Sequence, residues 1–123
     1  MGEDWPILRS KGVAEGRSSG SAFSSLAFAV ATSDDKRVGL EEQAKRCFRK
    51  IDGVLADLGT DRRYLLSATV FLSDLRQKAR FDDVWNAWVG ATPQHWPQRM
   101  CIGATLSEGT LVEISVVAAK VKR

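Results

Sequence analysis

Leu40-Glu41-Glu42-Gln43-Ala44-Lys45-Arg46-Cys47-Phe48-Arg49-Lys50-Ile51-Asp52-Gly53-Val54-Leu55-Ala56-Asp57-Leu58-Gly59 carries the most regular pattern in the chain. Leu40, Ala44, Cys47, Phe48, Ile51, Val54, Leu55 and Leu58 recur at steps of three and four residues, which gathers them on one helix face. Glu41 and Glu42 fall in the first turn, where acids complement the positive end of the helix dipole, and Gly59 follows as a left-handed stop. The spacing predicts a helix over 39–58. The opposite face, with Lys45, Arg46, Arg49, Lys50 and Asp52, has the composition of a solvated surface. Cys47 lies on the apolar stripe and reads as a small buried hydrophobe, not as a reactive thiol.

Strand patterns flank this helix. Leu26–Thr32 (Leu-Ala-Phe-Ala-Val-Ala-Thr) is short, apolar and bounded by polar residues, as a buried strand is. Tyr64–Ser73 is apolar on both parities, so both of its faces call for cover. Phe81, Val84, Trp85, Trp88 and Val89 return to helical spacing and stop at Gly90. Two tryptophans on one such stripe read as core. Arg99–Leu106 and Leu111–Val121, separated by Ser107-Glu108-Gly109-Thr110, predict a closing hairpin. Residues 1–15 show no sustained period, and Glu15–Ser21 reads as a loop entering a strand. The order is α+β: a single sheet with two helices on one face. Its other apolar face predicts an oligomer, because water-exposed apolar area of that extent is costly.

A chain of 123 residues, 44% hydrophobic and 27% charged, is the size and composition of one globular domain spanning 1–123. Its net charge of +3 is spread along the chain, so nucleic-acid binding is not indicated. Two cysteines, Cys47 and Cys101, do not make a disulfide framework and point to a reducing compartment. The start of the chain has acids where a signal peptide has bases, and no 18-residue apolar run occurs. Gly2 stands in an unfavourable context for myristoylation. The expected location is cytoplasmic.

One histidine, no Cys-x-x-Cys and no His-Glu-x-x-His leave no set of metal ligands, so neither metal nor cofactor is expected. The Gly-Ser segment at 16–21 lacks the Lys-Ser/Thr ending of a phosphate loop. His95, beside Trp96 and Pro97, has no Gly-x-Ser-x-Gly elbow to serve. Arg99, Cys101 and Gly103 share one strand face by alternation. Glu113 is the charged outlier within Leu111–Ala119, and buried charges are normally paired. A guanidinium captures a carboxylate bidentately, and a nearby glutamate can activate a water. Such a pair could hydrolyse an imine of a 2-oxo acid; a structural Arg–Glu pair at a subunit contact fits the same spacing.

Several segments resemble the Rid pattern of the YjgF/YER057c/UK114 family. Glu42-Gln43-Ala44 through Ile51-Asp52-Gly53-Val54-Leu55 to Leu58-Gly59 is similar to E-Q…N-I-x-A-V-L…G, and Thr69-Val70-Phe71-Leu72-Ser73-Asp74 to T-V-F-L-x-D. Pro97-Gln98-Arg99-Met100-Cys101 resembles P-x-R-x-C, and Val112-Glu113-Ile114 with Val117-Ala118 resembles V-E-I-x-x-V-A. The matches run in order from about 26 to 121. The resemblance implies a chorismate-mutase-like fold, a homotrimer with ligand clefts between subunits, and hydrolytic deamination of enamine or imine intermediates such as 2-aminoacrylate. It implies that Arg99 grips the substrate carboxylate, that Cys101 lines the site, and that Glu113 serves the attacking water.

The resemblance breaks at four places. Ala29-Val30-Ala31-Thr32 stands where the family has T-S-G-Q, so Val30 replaces its pocket serine. The N-terminal loop lacks the family tyrosine and has Arg17 or a neighbouring serine in that region. Asp82 stands near a family asparagine, and the segment after Cys101 is one residue shorter, with Gly103 inside it, which predicts an altered strand. The leading expectation is a cofactor-independent imine or enamine deaminase. The alternatives are a non-catalytic trimer binding small carboxylates and, since some relatives are described as translation inhibitors or ribonucleases, an RNA-directed protein. The last lacks a basic stripe with interleaved aromatics.

Overall fold

The computed structural model describes residues 4–121; Gly2 lies outside them. The chain forms β1 (Leu8–Ser10), β2 (Gly20–Phe23), β3 (Leu26–Thr32), α1 (Leu40–Asp57), β4 (Leu65–Leu72), α2 (Lys78–Val89), β5 (Gln98–Gly103) and β6 (Val112–Ala119). One six-stranded sheet has the order β1-β2-β3-β6-β4-β5. Only β4 and β5 run parallel, joined by α2; every other neighbour is antiparallel. The predicted helix 39–58 matches α1 to within one residue at each end.

Side-chain size sets the packing distance. The helix-facing residues of β3 are Ala27, Ala29 and Ala31, all buried, and they admit α1 closely. Gly20 on β2 completes this floor: a Cβ there would stand 2.4 Å from Val54 Cγ1 and 2.6 Å from the Phe28 carbonyl oxygen. Phe48 of α1 joins the two helices, its ring stacked on Trp88 with centroids 4.3 Å apart and also touching Phe81 and Trp85. The larger β3 side chains, Leu26, Phe28 and Val30, point to the helix-free face and are exposed in the single chain. The apolar pattern therefore continues onto an uncovered surface.

Two expectations about strands need correction. Residues 99–106 and 111–121 do not pair as a hairpin: β5 lies on one side of β4 and β6 on the other. The Ser107–Thr110 turn reverses the chain across the end of β4, where Ser73 N–H donates to the Leu111 carbonyl at 3.1 Å. Turn chemistry fixes a reversal, but it does not fix which strand becomes the neighbour; β6, buried on alternate residues, takes the central slot. Nor is β5 irregular at Gly103, which pairs in register with Leu72. The irregularity is a bulge at Leu66 in β4, between the pairs Leu65–Ala118 and Ser67–Val117. The segment read as irregular, 1–15, contains β1, too short at three residues to show a period.

Gln43 is wholly buried on the apolar face of α1, although its polar side chain breaks the stripe. Its Nε2 donates to the carbonyls of Val38 (3.1 Å) and Gly109 (2.9 Å), and its Oε1 accepts from Leu111 N–H at 3.0 Å. This ties the start of α1 to the loop that launches β6. Gln43→Leu leaves these three backbone groups without that partner and is expected to lower unfolding free energy by about 2–4 kcal/mol in urea titrations. An unchanged midpoint would refute the role.

Candidate functional site

Alternation along β5 sends Arg99 and Cys101 to the helix side, level with Ala68 and Val70 of β4. Arg99 is mostly buried there, its guanidinium lying over the rings of Trp85 (5.1 Å) and Phe81 (5.6 Å). Its Nη2 donates to Asp82 Oδ1 at 2.7 Å, and Lys78 Nζ donates to the other oxygen of the same carboxylate at 2.9 Å. The Asp82 carboxylate thus already occupies the Arg99 guanidinium. Burial pushes the Asp82 carboxyl up, but the hydrogen bonds from Lys78 and Arg99 outweigh it and hold the group below its ordinary value.

Because that pKa is depressed on folding, the contribution of the pair is present above the ordinary carboxyl value of 3.8 and is lost as pH falls through the lower folded value. Asp82→Asn keeps a hydrogen-bonding group but removes the competing charge. It is expected to tighten 2-oxobutyrate binding by about tenfold, read by calorimetry at pH 7, and to remove that acid-dependent share of stability. Unchanged or weaker binding would show that Asp82 does not compete for Arg99.

Cys101 is half-buried beside Arg99. Burial pushes its thiol up, against the pull of the Arg99 and Lys78 charges, so it is a neutral wall and not a thiolate. Cys47 is fully buried and pushed up to about 12 by desolvation. Trp85 packs in the core as its stripe implied, and Trp88 donates its indole N–H to Asp52.

Glu113 does not meet Arg99. It pairs in register with Thr32 of β3 and Phe71 of β4, on the parity opposite to Val112 and Ile114, so its side chain leaves the sheet on the helix-free face. The sequence reading placed the two residues near each other through a hairpin that does not form. Among the described residues no donor bonds the Glu113 carboxylate. It lines a cleft of about 510 Å³ with Arg17, Val30, Thr32, Lys36 and the turn Ser107–Thr110. One chain therefore carries a cation at the outer strand and a carboxylate near the sheet centre, on opposite faces. Among the described residues no three of His, Cys, Asp and Glu gather as a metal site, and no helix is long and apolar enough to cross a membrane.

Comparison with known proteins connects this arrangement to a family. Residues 21–120 match the family described as Endoribonuclease L-PSP. The RutC family protein YoaB of Escherichia coli is 38% identical over 79 residues, 63% of this chain and 68% of its own. A RutC family protein of Haemophilus ducreyi is 31% identical over 93 residues, 75% and 78% of the two chains. The crystal structure of a YjgF family member from Neisseria meningitidis superposes with a TM-score of 0.84 at 29% identity, covering 95% of this chain and 97% of that one. The crystal structure of yeast Mmf1 superposes with a TM-score of 0.81, covering 94% of this chain and 99% of that one; at 20% identity it speaks for the fold alone. With the sheet order, the two helices on one face and the Arg99 and Glu113 motifs in place, the chain belongs to the endoribonuclease L-PSP family, that of the YjgF, RutC and Rid proteins.

Proposed function

We propose that the protein is a homotrimeric, cofactor-independent deaminase acting in the cytoplasm on small imines or enamines of 2-oxo acids. The observation that carries this reading is the division of Arg99 and Glu113 between opposite faces of one sheet, with the helix-free face apolar and uncovered. Packing those faces together in a ring would bring the outer strand of one subunit beside the Glu113 cleft of the next. Arg99 then grips the substrate carboxylate, and Cys101 walls the pocket beside it. Glu113 of the neighbouring subunit takes a proton from water as its oxygen bonds to the imine carbon. The amine collects protons, the C–N bond breaks, and a 2-oxo acid and ammonia leave; one water is consumed for each ammonia released.

The test is ammonia release from freshly generated 2-iminopropionate. Wild type should accelerate it over the spontaneous rate and Arg99→Ala should not; equal rates for the two proteins would sink the reading. A second reading, a trimer that binds small carboxylates without turnover, is favoured by Asp82 on Arg99 and by the absence of a hydroxyl at Val30. It predicts 2-oxobutyrate binding with no ammonia released. The RNA-directed reading is disfavoured by how many of the arginines are already neutralised. Arg37, Arg63 and Arg76 each fold back on an aspartate two residues earlier, and Arg46, Arg62 and Arg80 pair with Asp34, Asp52 and Glu41.

A further inference from the structure

The Glu113 cleft is lined by cations that no carboxylate engages among the described residues. Most arginines of this chain are held by carboxylates, whereas Arg17 is exposed on the loop between β1 and β2 and meets no carboxylate among the described residues. Lys36, on the other wall of the same cleft, is likewise without a carboxylate, while Asp34 between them is engaged by Arg46 at 3.1 Å. The loop carrying Arg17 is seated against the cleft, not free of it: Ser19 N–H donates to the Ser10 carbonyl at 2.8 Å, and Val30 N–H donates to the Ser19 carbonyl at 3.1 Å. Val30 supplies an apolar wall between this loop and Glu113. The remaining acid, Glu108, is exposed at the rim.

We propose that Arg17, assisted by Lys36, forms a second anion subsite, and that the substrate class is the imine of a 2-oxo diacid. The proposal rests on the deaminase reading for the first carboxylate, which Arg99 of the adjoining subunit holds. The second carboxylate lies against Arg17, the carbon chain between them passes along Val30, and the imine carbon is presented to Glu113. The chemistry at that carbon is the same addition of water and loss of ammonia, and the distal carboxylate is unchanged by it. Arginine suits this task because it stays charged at every working pH and offers two parallel donors to a carboxylate.

Two measurements test this. Calorimetry compares 2-oxoglutarate with 2-oxobutyrate on wild type, Arg17→Ala and Arg17→Lys; ammonia release compares 2-iminoglutarate with 2-iminopropionate on the same proteins. Wild type should favour the diacid by about tenfold or more, and Arg17→Ala should bring the ratio near one, with Arg17→Lys between them. A wild type without diacid preference, a ratio unchanged in Arg17→Ala, or failure of both oxo acids to bind would overturn the subsite. If the binding ratio behaves as expected while neither imine is hydrolysed, the subsite stands and the deaminase reading falls. If both imines are hydrolysed without diacid preference, the reverse holds.

Discussion

Arg99→Ala and Glu113→Gln chains, each inactive alone, are expected to recover imine hydrolysis when unfolded together and reassembled. Each substitution removes one half of the proposed site. Arg99→Ala abolishes the carboxylate grip, and Glu113→Gln keeps the shape of the side chain while removing the proton acceptor, a loss of about 10²–10⁴-fold in rate for a general base. Within one chain the two residues leave the sheet on opposite faces, so a site that needs both must draw them from two subunits. In a ring, a contact between an Arg99-intact chain and a Glu113-intact chain rebuilds a complete site. Random assortment of equal amounts produces that combination at about one contact in four, so roughly a quarter of wild-type ammonia release should return. Mixtures no more active than their components would show that the two groups do not share an intersubunit site.

The legible parts of the fold were those in which local periodicity and burial coincide. Helix α1 was readable because its stripe, its first-turn acids and Gly59 all agree, and Gly59 does adopt a positive φ of 89°. Likewise β3 and β4 were readable as short apolar runs. Strand neighbours were not, since pairing is a long-range choice: Ser107–Thr110 looks the same whether β6 returns beside β5 or steps over β4. That one ambiguity carried into the site. It made Arg99 and Glu113 seem adjacent, when the partner that Arg99 meets in its own chain is Asp82, seventeen residues away on α2. In the sequence, Asp82 stands out only as a departure from the family asparagine. Its contact with Arg99 depends on the β4–α2–β5 crossover, which places α2 beside β5, and composition does not encode that placement. The three Asp-x-Arg pairs could have been found from spacing: an aspartate accepting the N–H two residues on is a common turn, and the arginine there can fold back onto it.

Phe28→Asp is expected to leave a folded single chain with no assembly and no turnover. Phe28 is 42% exposed in the single chain, on the face away from the helices, where it stands between Ser21 of β2 and Val117 of β6. Leu26, Val30 and Leu66 on β3 and β4, with Met100 and Ile102 on β5, are also exposed. Contiguous apolar area of this kind marks an interaction surface, and an unpaired carboxylate buried in it would cost several kcal/mol. The buried core is untouched, because β3 turns only Ala27, Ala29 and Ala31 toward α1. Sedimentation should therefore report the mass of one chain while circular dichroism stays native. Ammonia release should vanish with the assembly, since the isolated chain holds Arg99 and Glu113 on opposite faces of its sheet. An assembled Phe28→Asp protein, or a wild type that sediments as a single chain, would refute the interface and with it the shared cleft.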